Sequence, residues 1–431
     1  MKPVKVGICG LGTVGGGTFG VLTTNAQNIT RRAGREIMVE QIATRHPNPD
    51  YDTSGVNITD DVFAVAQNPD IDIVVELIGG YDVAKKLVLT AIENGKHVVT
   101  ANKALIAEHG SEIFAAAEAK GVSVMYEAAI AGGIPIVKAL REGLAANRIN
   151  WLAGIINGTG NFILTEMRDK GRDFADVLAE AQELGYAEAD PTFDVEGIDA
   201  AHKLTILASI AYGIPLQFDR CYTEGISTIT TEDVQYAEEL GYRIKHLGIS
   251  CQTPQGIDLR VHPTMVPAAR PIANVDGVLN AVMVNGNAVG DTMYVGAGAG
   301  AGPTASAVVA DIIDLARSLE ADSEARVSHL AYNKVEDEQV LPIEDIETAY
   351  YLRIQAVDKA GVLASVATLL SERGISIEAI IQREPAPGEE LAQIILLTHR
   401  IQEKVMNEAM IAIEGLSSVV GQVTRIRVEH L

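Results

Sequence analysis

The first third of the chain alternates short apolar runs with longer segments of helical periodicity. One run, Val4–Cys9, lies at the start of the chain, and another, Ile71–Leu77, is apolar apart from Asp72 and Glu76. Apolar strands that alternate with helices of ten or more residues are typical of βαβ units in a parallel sheet covered on both faces. The pattern predicts strands at 4–9, 37–44, 71–77, 97–100 and 123–127, and helices at 13–32 and 84–94.

From about residue 134 the regular alternation of strands and helices stops. Helices are predicted at 136–147, 174–184, 199–211 and from about 304, and strands at 149–156, 260–266 and 281–284. This order is typical of a mixed α+β domain.

The C-terminal part of the chain follows an acidic segment that contains Pro342. Strands are predicted at 350–356, 376–382, 391–398 and 423–428, helices at 361–373 and 402–413, and a Pro-Ala-Pro-Gly turn between the two middle strands. The β-α-β-β-α-β order is that of the ferredoxin-like split βαβ fold.

Composition narrows the classes of partner. The chain of 431 residues has a formal net charge of −23 and three cysteines without a Cys-x-x-Cys pair. The acidic balance argues against nucleic acid or an anionic membrane as a partner, because Lys and Arg are needed to neutralise phosphates. The cysteine usage indicates a reducing compartment. Since neither a secretory segment nor a membrane-spanning apolar run is evident, we expect a cytoplasmic protein.

A glycine-rich turn follows the first strand and opens the first helix. Residues 10–15 read Gly-Leu-Gly-Thr-Val-Gly, which fits the G-x-G-x-x-G fingerprint. The glycines permit a tight turn, close approach of a pyrophosphate and close packing of helix on strand, and the helix N-terminus presents N–H groups to the anion. We therefore predict a Rossmann-type doubly wound parallel sheet that binds a dinucleotide through Gly10, Leu11, Gly12, Thr13, Val14 and Gly15.

The end of the second strand bears on the choice between NAD and NADP. It reads Ile42-Ala43-Thr44-Arg45-His46, without an acidic residue at the tip. An acid there would accept from the ribose 2′-hydroxyl, whereas Arg favours the 2′-phosphate. Arg45 thus favours NADP, and NAD stays open because Asp50 and Asp52 are close in sequence. The alternative is that Arg45 is only a solvated surface charge.

Two lysines stand at positions that suit carbonyl chemistry. Reduction of an aldehyde requires a hydride for the carbon and a proton for the developing alkoxide, and an ammonium group both stabilises and protonates that oxygen. Lys103 follows the fourth strand, at the carboxyl edge where ligands bind doubly wound sheets. Lys203 has Asp199 four residues earlier on one helix face, and the carboxylate favours the charged lysine. The alternative is an ordinary surface pair on a helix.

Three further passages are informative: Val-Val-Thr-Ala-Asn-Lys-Ala-Leu at 98–105, Tyr-Glu-Ala-Ala-Ile-Ala-Gly-Gly-Ile-Pro-Ile at 126–136, and residues 181–203 with Gly-Tyr-Ala-Glu-Ala-Asp-Pro and Asp-Val-Glu-Gly-Ile-Asp. Together with the glycine fingerprint, they resemble homoserine dehydrogenases. The resemblance covers about residues 4–320, and the length leaves no room for a fused kinase. It implies reversible NAD(P)H-dependent reduction of L-aspartate 4-semialdehyde to L-homoserine, in the biosynthesis of threonine, methionine and isoleucine.

The resemblance also implies roles for single residues. Lys203 handles the hydroxyl proton, and Lys103, a catalytic and cofactor-binding candidate, lies between the nicotinamide and the substrate. Glu188 and Asp199 hold the amino group of homoserine. Asp194 matches the same acidic pattern and orders the site.

Other residues are implied as ligands mainly through their backbone. Gly185 and Gly300 match glycines whose backbone approaches the cofactor. The family also binds a monovalent cation, usually sodium, in the loop after the fifth strand, and carbonyl oxygens suit such a hard cation. The matching positions are Glu127, Ile130, Gly132 and Ile134. The alternative is a glycine-rich connection without an ion.

The turn after the first C-terminal strand, Asp-Lys-Ala-Gly-Val-Leu at 358–363, resembles that of the ACT domain, an amino-acid-sensing module. Ala360 stands where the common form has Pro. The resemblance implies threonine as effector and a homodimer or homotetramer, with candidate effector residues Asp358, Gly361, Val362 and Leu363. The alternative is a module that only dimerises. We expect a chain cut after about Val340 to keep catalysis and to lose inhibition by threonine.

These inferences divide the chain into four segments. They are an NAD(P)-binding domain at 1–133, a catalytic and dimerisation domain at 134–330, a linker at 331–347 and an ACT regulatory domain at 348–431. A return of the chain to the first domain near 300–320 is left open.

Two other functions stay open at this point. A related amino-acid or semialdehyde dehydrogenase is one, although a phosphorylating type needs a nucleophilic cysteine, and Cys221 and Cys251 lack an evident His partner. The other is a catalytically silent nucleotide or amino-acid sensor. Against it stands the joint presence of Lys103, Glu188, Asp199 and Lys203.

Overall fold

The structure, a computed structural model, describes residues 2–322, 326–383 and 391–431. The strands are β1 Val4–Cys9, β2 Ile37–Ala43, β3 Asn57–Thr59, β4 Ile73–Glu76, β5 His97–Thr100, β6 Val124–Met125, β7 Ile149–Ile155, β8 Tyr222–Thr223, β9 Tyr242–Thr253, β10 Gly256–Pro267, β11 Leu279–Gly286, β12 Gly290–Ala297, β13 Glu347–Val357, β14 Ile377–Gln382, β15 Leu391–Thr398, β16 Ile401–Gln402 and β17 Thr424–Val428.

The helices are α1 Thr13–Thr24, α2 Ala26–Ala33, α3 Val62–Gln67, α4 Asp82–Glu93, α5 Lys103–Lys120, α6 Ile136–Lys138, α7 Gly158–Lys170, α8 Phe174–Glu183, α9 Thr192–Val195, α10 Ile198–Tyr212, α11 Thr231–Glu239, α12 Ala301–Ser318, α13 Val362–Glu372 and α14 Glu403–Glu414. No helix in the described ranges is long and apolar enough to cross a membrane.

The chain forms two compact units, each built from three segments. The first contains Met1–Gly158, Asp199–Cys221 and Val278–Glu338, and the second contains Thr159–Ile198, Tyr222–Gly277 and Gln339–Leu431. This grouping does not test the four segments proposed from the sequence, which stay a prediction.

A six-stranded parallel sheet, in the order β3-β2-β1-β4-β5-β6, forms the centre of the first unit. Its inner strands β4 and β5 are buried along their whole length, because helices cover both faces. Helix α12 contributes Val308 and Ile312 to the same core as Val6 and Ile8 of β1. The predicted doubly wound sheet is confirmed, and its strand order reverses between β1 and β4, where such folds bind ligands.

The first unit also contains three antiparallel strands, in which β11 pairs with β7 on one side and with β12 on the other. Strand β7 ends at Ile155, and only Ile156 and Asn157 separate it from α7.

In the second unit the hairpin β9–β10 continues into the C-terminal strands in the order β9-β10-β17-β13-β15-β14. Strand β17 is parallel to β10 and antiparallel to β13. The order β17-β13-β15-β14, with α13 and α14 between strands, is the predicted ferredoxin-like topology, which is confirmed. The predicted Pro-Ala-Pro-Gly turn lies outside the described residues.

Candidate active site

The three glycines of the turn after β1 meet three different physical requirements. Gly10 has φ +102, and a Cβ there would lie 2.6 Å from the carbonyl oxygen of Leu77. A Cβ at Gly15 would lie 1.9 Å from the carbonyl oxygen of Gly10. Nothing lies within 4 Å of the Cβ position of Gly12. Gly10 and Gly15 therefore permit the turn and the close helix packing, while Gly12 leaves open space where a pyrophosphate can approach.

A cavity of about 750 Å³ adjoins this turn. Thr13 and Val14 begin α1, and Gly12, the N-cap residue before them, has no side chain to cap the helix, so the first N–H groups of α1 suit an anion. The volume is that of a cofactor site, and these residues fit a dinucleotide. The lining residues are Gly10, Leu11, Gly12, Ala43, Thr44, Arg45, His46, Pro47, Asn48, Pro49, Asp60, Val62, Leu77, Ile78, Gly79 and Val83.

Arg45 is exposed at the end of β2 and lines this cavity. Asp50 and Asp52 do not line it, although Asp60 does. The carboxylate of Asp52 instead accepts a hydrogen bond from the backbone N–H of Ser54 at 3.1 Å. The local geometry thus places a cation, and neither of the two acids considered from the sequence, beside the glycine turn.

Lys103, Asp199 and Lys203, which the sequence singled out, lie together in the first unit. The Nζ of Lys203 donates to Oδ2 of Asp199 at 2.6 Å and to the carbonyl oxygen of Ile156 at 2.7 Å. The Nζ of Lys103 lies 3.0 Å from the other carboxylate oxygen, Oδ1. The amide of Asn157 donates to Oδ2 of Asp199 at 2.9 Å. One carboxylate therefore holds two ammonium groups.

The cluster is buried unequally. Asp199 is 5% exposed, while the side chain of Lys103 is 38% exposed and that of Lys203 only 11%. Burial by itself would raise the pKa of Asp199, but the ammonium groups of Lys203 and Lys103 and the amide of Asn157 hold that pKa well below its usual range. Asp199 is thus an anion that keeps two protonated amines close together, and such amines can donate a proton to a ligand oxygen or stabilise negative charge that develops on it.

Local structure explains how these side chains are positioned. Helix α10 is buried from Asp199 to Tyr212, so Lys203 lies in a largely apolar environment. Lys103 is the first residue of α5, whose N-terminus is capped by the side chain of Asn102, which accepts from the N–H of Leu105. Neither Asn157 nor the carbonyl of Ile156 was found from the sequence.

The other residues proposed from the sequence lie elsewhere. Gly300 precedes α12 with φ +122, and neither it nor Lys103 lines the cavity beside the glycine turn. The second unit contains Glu188, which is exposed, Asp194, which is half-buried in α9, and Gly185, which has φ +74 after α8. Their roles stay predictions.

Glu127, the carboxylate of the proposed cation loop, is 1% exposed. Its two oxygens accept from the backbone N–H groups of Val137 and Lys138 at 2.9 and 2.8 Å. Burial, and then the neighbouring Asp311, raise the pKa of Glu127 to about 7. A bound cation would favour the ionised form of this carboxylate.

The backbone of this loop is in the left-handed region at Ala131 (φ 51) and Gly132 (φ 48). The carbonyl oxygen of Ile134 accepts from the N–H of Ile136 at 2.8 Å. In the described ranges no cluster of three or more His, Cys, Asp or Glu side chains could hold a metal. A cation here would therefore depend on backbone oxygens.

The proposed effector turn joins β13 to α13. Gly361 precedes the helix with φ +94, and its carbonyl oxygen accepts from the hydroxyl of Ser365 at 3.0 Å. Asp358 is exposed, whereas Val362 is buried and Leu363 half-buried in the core of this fold.

Comparison with known proteins identifies three matching family models. The model of the homoserine dehydrogenase NAD-binding domain matches residues 10–127, that of homoserine dehydrogenase matches 135–313, and that of the ACT domain matches 350–416. A homoserine dehydrogenase of Pseudomonas aeruginosa is 68% identical over the full length of both chains.

Solved structures agree. A homoserine dehydrogenase of Thiobacillus denitrificans is 61% identical with a TM-score of 0.95, over 100% of this chain and 99% of that one. A hyperthermophilic archaeal homoserine dehydrogenase, solved in complex with NADPH, is 25% identical with a TM-score of 0.62, over 78% of this chain and 100% of that one.

Proposed function

The chain belongs to the homoserine dehydrogenase family of NAD(P)-dependent oxidoreductases that act on a CH–OH group, and we propose that it reversibly reduces L-aspartate 4-semialdehyde to L-homoserine. The observation that carries the proposal is the pair of ammonium groups held by Asp199. When bound, a reduced nicotinamide supplies the hydride for the aldehyde carbon. The proposed reaction would be a step in the biosynthesis of threonine, methionine and isoleucine.

Lys203 is the proposed acid and base. Its Nζ gives a proton to the aldehyde oxygen as negative charge develops there, and in the reverse direction takes the proton of the hydroxyl group. The ammonium is well suited to this because hydrogen bonds to Asp199 and to the carbonyl of Ile156 fix its orientation. Helix α10, which carries Lys203, is itself buried, so little water reaches the ammonium. Lys103, whose side chain is more exposed, stabilises the same oxygen and contacts the cofactor.

The amino group of the substrate would bind to Glu188 and Asp199, with Asp194 ordering the site. A carboxylate offers about four acceptor positions. At Asp199, donors from Lys203, Asn157 and Lys103 use three of them, which leaves an acceptor position for an ammonium group.

The proposed cofactor is NADP. The glycine turn, with the backbone of Gly185 and Gly300, would hold the pyrophosphate and nicotinamide portions, and Arg45 would pair with the 2′-phosphate. The cavity supports this preference because Arg45 lines it and Asp50 and Asp52 do not.

We further propose a monovalent cation, Na⁺, at Glu127, Ile130, Gly132 and Ile134. The two consecutive left-handed residues support a sharply turned loop, and Glu127 supplies a buried carboxyl group whose ionised form a cation would favour. Such a cation would order the loop; no reaction step is assigned to it.

Threonine is the proposed effector, at the turn that contains Asp358, Gly361, Val362 and Leu363. A regulatory role requires that threonine bind two conformations with different affinities. The assembly proposed is a homodimer or homotetramer, and strand β12, which pairs on one side with β11, provides a sheet edge for association.

The proposed reaction is tested with the purified chain, L-homoserine and either NADP⁺ or NAD⁺, with the reduced nicotinamide measured by absorbance and the semialdehyde trapped as a hydrazone. We expect turnover with L-homoserine, faster with NADP⁺, and inhibition by L-threonine. L-Serine, which is one methylene shorter, is the control. Turnover with serine but not with homoserine would contradict the proposed substrate.

A further inference from the structure

We infer that Asn157 is a positioning residue of the reaction, which orients Asp199 and through it the ammonium of Lys203; this rests on the proposed function. Asn157 is the second of the two residues between β7 and α7. It is 6% exposed, and its amide donates to Oδ2 of Asp199 at 2.9 Å across 42 residues of sequence.

The same short junction also holds Lys203 directly. The carbonyl oxygen of Ile156 accepts from Nζ of Lys203 at 2.7 Å, and Oδ2 of Asp199 accepts from the same nitrogen at 2.6 Å. A lysine ammonium has three N–H bonds in a fixed tetrahedral arrangement. Two acceptors fixed in space therefore set the direction of the third N–H bond, and both acceptors depend on residues 156–157.

The neutral amide suits the charge of the cluster. Asp199 needs donors because it is almost fully buried, and Asn157 supplies one without adding charge. Oδ2 is thereby held towards Lys203, while Oδ1 stays 3.0 Å from Lys103. Without the amide, the carboxylate group can rotate about its Cβ–Cγ bond, and the N–H directions of both lysines change with it.

The junction itself is held firmly by its neighbours. Strand β7 pairs with β11 up to Ile155, which lies opposite Ala281. A Cβ at Gly158, immediately after Asn157, would lie 2.8 Å from the carbonyl oxygen of Val278. Because the backbone is fixed on both sides of Asn157, its side chain can act as a rigid support for Asp199.

The test compares Asn157→Ala and Asn157→Asp with the wild-type chain in homoserine oxidation. We expect Asn157→Ala to lower kcat by about 10- to 100-fold with little change in KM for NADP⁺, since a misplaced acid–base group affects the chemical step. Asn157→Asp has the same size but adds a negative charge that favours protonated Lys203. In a plot of kcat against pH, the acidic limb of this variant should shift to higher pH by about one unit, because homoserine oxidation needs the neutral amine of Lys203.

The matched control is Asn150→Ala. Asn150 lies on the same strand, and its amide donates to Oδ1 of Asn285 at 2.7 Å, away from Asp199. It should keep the wild-type kcat and pH profile. If both Asn157 variants match this control in kcat and in the position of the acidic limb, the inference is overturned while the proposed function stands. If Asn157→Ala does not fold, the isosteric Asn157→Asp decides alone. A wild-type chain without homoserine oxidation would overturn both.

Discussion

Lys203 and Asp199 illustrate how burial changes the meaning of a common residue pair. On an exposed helix face an Asp–Lys pair contributes little to stability. Here Asp199 is 5% exposed, and its removal would leave the ammonium of Lys203, whose side chain is 11% exposed, without its carboxylate, at a cost of about 3–5 kcal/mol. Because this pair is buried and its Asp199 also contacts Lys103, an ordinary surface ion pair is a poor explanation, and the cluster is a candidate functional site.

The sequence could reveal only part of this cluster. Lys103, Asp199 and Lys203 stand in recognisable patterns, and the structure brings them together. Asn157 and the carbonyl of Ile156 carry no pattern, because an isolated amide and a backbone oxygen look the same in any chain. Their importance depends on contacts between positions distant in sequence.

Arg45 leads to a prediction about cofactor choice. Arg45→Asp should lower the ratio of kcat/KM for NADP⁺ to that for NAD⁺ by about tenfold or more, since one charge-assisted hydrogen bond to phosphate is worth about 1.5–3 kcal/mol. The ratio is measured from initial rates with each cofactor. Arg31→Asp, an equally exposed change on α2 that does not line the cavity, is the control. An unchanged ratio in Arg45→Asp would mean that Arg45 is only a surface charge.

At the scale of elements, the short edge strand β6 depends on two neutral histidines. The backbone N–H of Ser123 donates to Nδ1 of His97 at 3.0 Å, and that of Val124 donates to Nε2 of His329 at 3.1 Å. Burial lowers the pKa of both histidines to about 4. Each ring must therefore stay unprotonated for β6 to keep its hydrogen bonds.

This arrangement predicts acid sensitivity. A histidine whose folded pKa is lowered contributes stability that is present above its unfolded pKa of about 6.5 and is lost as the pH falls towards about 4. For His329 the loss is about 3 kcal/mol. Urea unfolding at several pH values should show this loss in the wild type and a smaller one in His329→Gln, whose side chain accepts but does not titrate. If the free energy of unfolding falls equally with pH in the wild type and in His329→Gln, the account is contradicted.

Element boundaries show where sequence patterns stop being informative. The helix predicted at 13–32 divides at Asn25, because Asn25 has φ −102 and ψ 13 although the apolar spacing continues across it. The helix predicted at 136–147 is α6 followed by a π-helical turn, Ala139–Gly143. Glu127, which stands before the helix and outside its apolar pattern, accepts from the N–H groups of Val137 and Lys138, a constraint that local periodicity does not show.

Strand β9 was missed for a related reason. It lacks alternation because both of its faces are mostly buried, and it includes Lys245 and His246. Lys245 is only 1% exposed, and its charge is compensated by Asp276 at 3.0 Å and the carbonyl of Val275 at 2.7 Å. Polar residues whose partners come from elsewhere in the fold conceal a strand from pattern analysis.

At the scale of the whole molecule, the ACT domain shares a sheet with the hairpin of the second unit. Arg427 of β17 lies opposite Thr264 of β10, and Arg427, which is buried, also pairs with the partly exposed Glu224 at 2.7 Å. Arg260 of β10 pairs with Glu429 at 2.7 Å. Removal of the C-terminal domain would leave Arg260 without this partner and would expose a sheet edge.

The expectation from the sequence that a chain cut after about Val340 keeps catalysis is therefore revised. We now predict that the cut chain loses stability, because Arg260 loses Glu429 and keeps Asp258 as its acidic partner and the edge of β10 becomes exposed, and that it aggregates or melts at a lower temperature. Differential scanning calorimetry against the full chain measures this. Asp358→Ala, an exposed change in the effector turn, should instead keep the melting temperature and weaken threonine inhibition. A cut chain as stable as the full chain would contradict the prediction.

The central claim is that Lys203 transfers the hydroxyl proton of homoserine, and it is tested most directly by kcat for homoserine oxidation in Lys203→Ala. We predict a loss of roughly 100-fold or more, the scale of a positioned acid–base group, with NADPH affinity, measured by fluorescence titration, unchanged. Lys170→Ala, an exposed lysine on α7, is the control and should keep the wild-type kcat. Turnover in Lys203→Ala close to that of the wild type would contradict the claim.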